Sequence, residues 1–248
     1  MKVVSGIRPT GNIHLGNYLG AIQEWKKYPD GKFFIADLHC KHDYKDMVKT
    51  YEQLQMLGIN PAVESIRKDE ILSLYHTLTF EVPVGWLNRM TQFKDKSKTE
   101  DATLALLSYP VLMAADIFYF NGTHIPVGND QLQHIEFIRD LADRCGFEKP
   151  TPIIGNYPRI MSLKDGTKKM SKSDADDYSR INVTDAPDVI RDKIMKAKSA
   201  NDFNDNTPEM INLRTIYKAC GGGESHFVKM KDFKEALSDA IIKELIKE

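Results

Sequence analysis

The sequence has little cysteine, almost no charge imbalance and no long apolar run, and each shortage excludes something. Its three cysteines, Cys40, Cys145 and Cys220, stand far apart with no Cys-x-x-Cys pair. That argues against a disulfide framework or a zinc site, and no metal-ligating residues are expected. The formal net charge is −1, so no global field draws the chain to nucleic acid, and any RNA contact has to come from a local patch. No run of about 18 apolar residues is present, and the first residues lack a signal-peptide core. The expected setting is therefore soluble and cytoplasmic. Two nucleotide signatures are also missing: the Gly-x-Gly-x-x-Gly fingerprint and a lysine following Gly-x-x-x-x-Gly.

What remains is ordinary for a globular chain: 248 residues, 42% hydrophobic and 28% charged, enough for one or two domains with a substantial core. The apolar pair Val3-Val4, stopped by Ser5-Gly6, reads as a short strand, and Pro9, Gly11 and Asn12 mark a turn after it. Leu15, Leu19, Ile22 and Trp25 then recur at helical spacing, which puts His14 to Asn17 at a helix start. Phe33 to Leu38 reads as a buried parallel strand. Strand, glycine turn, helix and strand make a βαβ unit, in which phosphates meet free N–H groups at the helix start.

Further on, Tyr44–Leu57, Ile71–Leu78 and Gln131–Arg144 carry amphipathic patterns. The last has Asn129 or Asp130 as its expected cap and Gly146 as its stop. Gln92–Ser97 is polar and is expected to be loop. Ala102–Phe120 is the most apolar region, yet Asp116 sits within it; a carboxylate there has to be paired, hydrogen-bonded or functional. Ser162–Ser173 is a polar segment with a glycine and almost no apolar anchor, so it is expected to be a mobile surface loop. Its end, Lys169-Met170-Ser171-Lys172-Ser173, packs two ammonium groups and two hydroxyls into five residues, suited either to solvation or to closing over a polyphosphate. Beyond it, Val189–Lys198, Pro208–Ala219 and Phe233–Lys247 read as helices. A boundary is expected near residue 175, between the region that opens with the βαβ unit (1–175) and a small helical region (176–248).

Taken together, these motifs resemble class I aminoacyl-tRNA synthetases, in particular their tryptophanyl branch. His14-Leu15-Gly16-Asn17, following Arg8-Pro9-Thr10-Gly11, resembles the first class signature, with Asn17 where the signature ends in histidine. Lys169–Ser173 resembles the second. Met90–Ser97, Tyr109–Ile117 and Pro126–Gln131 resemble the tryptophan-specific stretches.

The resemblance implies an α/β, Rossmann-type domain that makes tryptophanyl-adenylate from ATP and tryptophan with Mg²⁺. It also implies a homodimer joined around residues 80–120 and transfer of the tryptophanyl group to tRNA(Trp). Arg8, Pro9, Thr10, His14, Gly16, Asn17, Gly128, Asn129, Asp130, Ile160 and Lys169 to Ser173 (with Met170, Ser171 and Lys172) are then expected around ATP. Lys169, Lys172, Lys96 and Asn17 are expected to stabilise the leaving pyrophosphate. Asp116 is expected to accept the indole N–H, with Tyr109, Met113, Gln131, Gly6, His39, Val4 and Val127 framing the amino acid.

Arg8 stands where many bacterial relatives have glutamine, Asn129 where glutamate is common, and His14 where some have threonine. Only Asp174 to Glu248 follow the lysine–serine motif, so activation of tryptophan is better supported than anticodon recognition. Two alternatives stay open: a paralogue that hands activated tryptophan to another acceptor, and a non-catalytic tryptophan sensor.

Overall fold

The computed structural model describes all residues except 42, 99–101, 158, 173, 224, 225, 247 and 248, and of Asp130 the backbone only. Strand β1 (Val4–Ile7) pairs in parallel with β2 (Lys32–Ile35), and β2 with β3 (Ala62–Val63). A second parallel pair joins β4 (His124–Val127) to β5 (Thr151–Ile154). A parallel bridge between Val3 and His124 connects the two, giving the spatial order β3-β2-β1-β4-β5. The order reverses between β1 and β4, and in a doubly wound sheet the carboxyl ends of strands at that point form the ligand crevice.

Alternation along the strands sends side chains to two cores. Val3, Phe33 and Ile35 face one; Val4, Phe34 and Ala36 face the other. On the first face lie α1 (Leu15–Asn17) and α2 (Gln23–Trp25), joined by a π-helical stretch at Tyr18–Ile22, and Trp25 stacks on Phe33 at 4.8 Å. The same core takes in α3 (Tyr44–Met56), α9 (Pro187–Met195), α10 (Pro208–Ala219) and α11 (Met230–Leu245). The second face is covered by α4 (Lys68–Thr79), α5 (Val84–Asn88), α7 (Leu104–Tyr119) and α8 (Leu132–Cys145). Covered on both sides, the strands read as apolar runs rather than as half-wet alternation. Among the described residues no helix is long and apolar enough to cross a membrane.

Several expectations needed correction. The first strand runs through Ser5-Gly6 instead of stopping there, because a side chain at Gly6 would lie 2.6 Å from the Phe34 ring and only glycine lets the strands pair there. Gln92–Ser97 is not loop. Thr91–Lys96 forms a short helix, α6, held by its neighbours: the Thr91 N–H donates to Gln133 Oε1 (2.8 Å), and Gln92 Oε1 accepts from the Tyr109 hydroxyl (2.9 Å). A 3₁₀ turn at Asn129–Gln131 leads straight into helix α8, so its cap position falls on Gln131, which makes no side-chain cap bond; the Asp130 side chain, one of the two expected caps, lies outside the described residues. Its end is as expected, on Gly146 in the left-handed conformation (φ 76°). Helix α11 is described only to Leu245, so the expected Lys247 lies outside the described residues.

Candidate active site

Two neighbouring sites form near the carboxyl ends of β1, β2 and β3. The first is a cleft of about 770 Å³ lined by the turn after β1 (Arg8, Thr10, Gly11, Asn12), by His14 and Asn17 at the helix start, and by Lys169, Met170, Ser171, Lys172 and Arg180. Residues drawn from two distant stretches of sequence thus meet on one surface. His14 and Asn17 cap each other. His14 Nδ1 accepts from the Asn17 N–H and Asn17 Oδ1 accepts from the His14 N–H, both at 3.2 Å. This arrangement needs a neutral imidazole. Burial holds His14 down at about 3, with help from the charges of Lys172, Arg180 and Lys169. Gly16 keeps this corner tight, because a Cβ there would lie 3.0 Å from His14 Nδ1 and 3.4 Å from the Met170 side chain.

The lysine–serine segment is anchored, not a free surface loop. Met170 is buried in the larger core, its N–H donates to the Ile160 carbonyl (3.0 Å), and Lys169 bridges Met161 across an antiparallel turn. At the base, Asn212 of α10 accepts from the Met161 N–H and donates to the Met161 carbonyl, both at 2.9 Å. The sequence signal for this was Met170 itself, one apolar residue on which a short segment can be pinned. Lys172 stays on the cleft wall, its Nζ reaching the Gly11 carbonyl at 3.4 Å. Burial and the adjacent Arg8 lower its ammonium to about 8. No carboxylate is found among the described residues lining the cleft, so it offers cationic and amide groups to an anion. A hard cation such as Mg²⁺ would find its charged oxygen ligands on a bound polyphosphate.

The second site lies against α7. Tyr109, Met113 and Asp116, at i, i+4 and i+7, share one helix face. Asp116 is 2% exposed. Its Oδ2 lies 2.7 Å from His39 Nε2, while its Oδ1 is buried and accepts from no N–H among the described residues. Burial raises the Asp116 carboxyl while a hydrogen bond with Glu64 lowers it, and burial holds His39 below the usual histidine range. Beside them, Glu64 is fully buried at the end of β3. The donor atoms of His39, Glu64 and Asp116 all fall within 4.8 Å of one another. The Tyr109 hydroxyl also meets His134 Nε2, and His134 Nδ1 meets Gln131 Oε1 at 3.0 Å, so one buried histidine ties Tyr109 to Gln131.

Of the expected ATP residues, Arg8, Thr10, His14, Asn17, Lys169, Met170, Ser171 and Lys172 line the cleft. Pro9 is buried in the turn and Ile160 lies beneath Met170. Gly128 and Asn129, at the end of β4, and Lys96, on α6, are not among its lining residues. Ser173 and the Asp130 side chain lie outside the described residues. Val4 and Gly6 sit on β1 and Val127 ends β4.

Sequence reasoning missed Arg180, His134 and Glu64. Arg180 enters the cleft because residues 181–183 run alongside 13–15, with Leu15 N–H donating to the Ile181 carbonyl and Val183 N–H to the Ile13 carbonyl. No local pattern announces that pairing. Glu64 had a usable signal, an acid directly after the apolar Ala62-Val63.

The model of the family "tRNA synthetases class I (W and Y)" matches residues 1–245. A tryptophan–tRNA ligase of Rickettsia bellii is 39% identical over 277 positions, covering 98% of this chain and 84% of the relative. One from Rickettsia conorii is 41% identical over 279, with the same coverage. These spans exceed the 248 residues here, so parts of the relatives fall opposite gaps inside this chain. Among solved structures, tryptophanyl-tRNA synthetase from Mycoplasma pneumoniae superposes with a TM-score of 0.85 at 30% identity, over 98% of this chain and 85% of that one. The Campylobacter jejuni enzyme complexed with ADP and tryptophan gives 0.77 at 28%, over 99% and 87%. The doubly wound sheet, the cationic cleft at its switch point and these matches lead to one conclusion: the chain belongs to the class I (W and Y) tRNA synthetases.

Proposed function

We propose that the chain is a tryptophan–tRNA ligase, which activates tryptophan with ATP and transfers it to tRNA(Trp). The observation that carries this is the adjacency of the two sites through Arg8. Arg8 lines the cationic cleft, and its charge also acts on His39, the residue hydrogen-bonded to Asp116. A polyphosphate in the cleft and an indole against Asp116 would thus bring a tryptophan carboxylate to the α-phosphate.

A carboxylate oxygen bonds to the α-phosphorus as the bond to the bridging oxygen breaks, and pyrophosphate departs carrying the charge. Lys172 and Lys169, with Arg8 and Arg180, stabilise that charge, and Lys96 joins them from α6. Catalysis rests on positioning and electrostatics, with no covalent enzyme intermediate. Arg8, Thr10, His14, Asn17, Ser171 and Met170 surround ATP, with Gly16, Pro9 and Ile160 shaping the wall. Gly128 and Asn129, at the end of β4, would meet ATP from outside this cleft, and a Mg²⁺ would be held by the phosphate oxygens and supply charge neutralisation there.

Asp116 Oδ1 accepts the indole N–H. Tyr109 and Gln131, held by His134, meet the ammonium end, and Met113, Val4, Gly6, His39 and Val127 enclose the ring. A terminal ribose hydroxyl of tRNA then attacks the adenylate carbonyl and AMP leaves.

Residues 1–175, joined by Arg180, carry this chemistry, and the helices of 176–248 are the part that meets tRNA. The exposed apolar side chains Phe80, Val84 and Leu104 support a homodimer joined through residues 80–120. The test is charging of total tRNA with labelled tryptophan and ATP, run beside tryptophan-dependent exchange of pyrophosphate into ATP. Label on tRNA(Trp) is the expected result. Exchange without charging would point to another acceptor, and the absence of both would overturn the reading.

A further inference from the structure

Glu64 has no part in the reading above, yet it is among the most enclosed acids in the molecule. Its Oε2 accepts the Leu38 N–H at 3.0 Å, and Asp37 Oδ1 returns a bond from the Ser65 N–H at 3.0 Å. This crossed clasp fixes the His39 segment against the end of β3. It does not require an acid, since a glutamine carbonyl would accept from Leu38 equally well. The other oxygen distinguishes the two. Oε1 is buried, accepts from no N–H or O–H among the described residues, and lies 3.7 Å from His39 Nε2, which is itself bonded to Asp116, and the Glu64 and Asp116 side chains are within hydrogen-bonding reach of each other. An ionised Oε1 there would face Asp116 with no donor of its own, whereas a protonated one is a donor beside an acceptor.

We infer that Glu64 is a positioning residue for tryptophan selection: it carries the one proton that it and Asp116 share, so that Asp116 stays an anion with Oδ1 free for the indole N–H. The inference rests on the proposed tryptophan pocket. Like charges this close in a buried site do not both ionise near neutrality. His39, neutral through burial, donates from Nε2 to Asp116 Oδ2 and biases the negative charge toward Asp116. The other groups that face the pair are Asp37, which opposes further ionisation of Asp116, and Arg8, which acts on His39. Cys40 lies next to them, its thiol raised mainly by burial. Burial pushes Glu64 up to about 8, with Asp116 the next cause, and the hydrogen bond between the two raises Glu64 and lowers Asp116, so the shared proton is held on Glu64 through neutral pH and released above it. A tryptophan ring covering the pair excludes water and makes the doubly ionised state less favourable still, so binding above that pH takes a proton up.

The experiment is tryptophan-dependent ATP–pyrophosphate exchange at saturating ATP, from pH 6.5 to 9.5, with the full chain and its Glu64→Gln variant. The ammonium group of free tryptophan titrates alike for both and cancels in the ratio of their KM values. For the wild type, KM for tryptophan relative to the variant is expected to rise about tenfold between pH 7 and pH 9, the loss of one proton-bound form. Coincident profiles would overturn the role of Glu64 while leaving tryptophan activation intact. No exchange by the wild type at any pH would bring down both.

A second readout needs no variant: calorimetry of tryptophan binding at pH 8 in two buffers of different ionisation enthalpy. Uptake of about half a proton is expected from a group titrating near that pH, and no uptake would overturn the inference.

Discussion

The cationic cleft and the acid pocket respond to burial in opposite directions and arrive at the same pH. In the cleft, burial and Arg8 bring Lys172 down to about 8; in the pocket, burial brings Glu64 up to about 8. The difference lies in what relieves each. Lys172 has Arg8 beside it, with Asp46 opposing only weakly, and among the described residues its hydrogen bond is one long contact to a carbonyl oxygen, so its charge is relieved by something that arrives. Asp116 has His39 beside it at 2.7 Å and so is settled within the protein, apart from the one oxygen left over. Charge held in reserve suits a transient leaving group, and a preset acceptor suits recognition of one ring nitrogen.

The sharpest way to break this contrast is to remove the reserve charge. Lys172→Ala is expected to slow adenylate formation by about 10²–10³-fold, the scale of one lost transition-state donor. Tryptophan affinity by calorimetry should stay within about twofold. Equal loss of both would mean the two sites are one.

Next in size is the anchor. Met170→Ala empties a fully packed position and should destabilise the fold by about 2–4 kcal/mol, read from denaturant unfolding. An unchanged midpoint would restore the picture of a free surface loop.

Asp116→Ala should cut kcat/KM for tryptophan by about 10–10²-fold, the scale of a hydrogen bond to a charged group. The benzothiophene analogue, which lacks the N–H, should lose far less. Parallel losses would remove Asp116 as the indole acceptor.

The smallest effect is the titration of Lys172. A lysine lowered to about 8 is charged below that pH and loses its charge above it. KM for ATP in the wild type should therefore rise up to about tenfold per pH unit above 8. Lys172→Arg should flatten that rise, because guanidinium stays protonated.

Legibility from sequence followed the range of the interactions. The first βαβ unit, α3 and the glycine end of α8 depend on neighbours along the chain, and periodicity or a stop residue disclosed them. Asp116 was conspicuous because a carboxylate in an apolar run demands a partner. The identity of that partner was not legible, since His39 and Glu64 come from the ends of two other strands. Helix α6 was misjudged for the same reason: its support comes from Gln133 and Tyr109, not from its own pattern. Arg180 reached the cleft through an antiparallel bridge between segments more than 160 residues apart, which no spacing rule reaches.

The Asn212 clasp on Met161 carries one more consequence. The tongue that bears Lys169 and Lys172 takes two hydrogen bonds at its base from α10, and a side chain at Gly166 would lie 2.4 Å from the Glu209 backbone at the start of that helix. A protease cut that released everything after residue 207 would strip the tongue of both supports and open the larger core, which also contains Phe233, Leu237 and Ile241. The N-terminal fragment would not persist as a folded ATP-binding piece. The lysines and the terminal helices stand or fall together, and the chain has no detachable catalytic half.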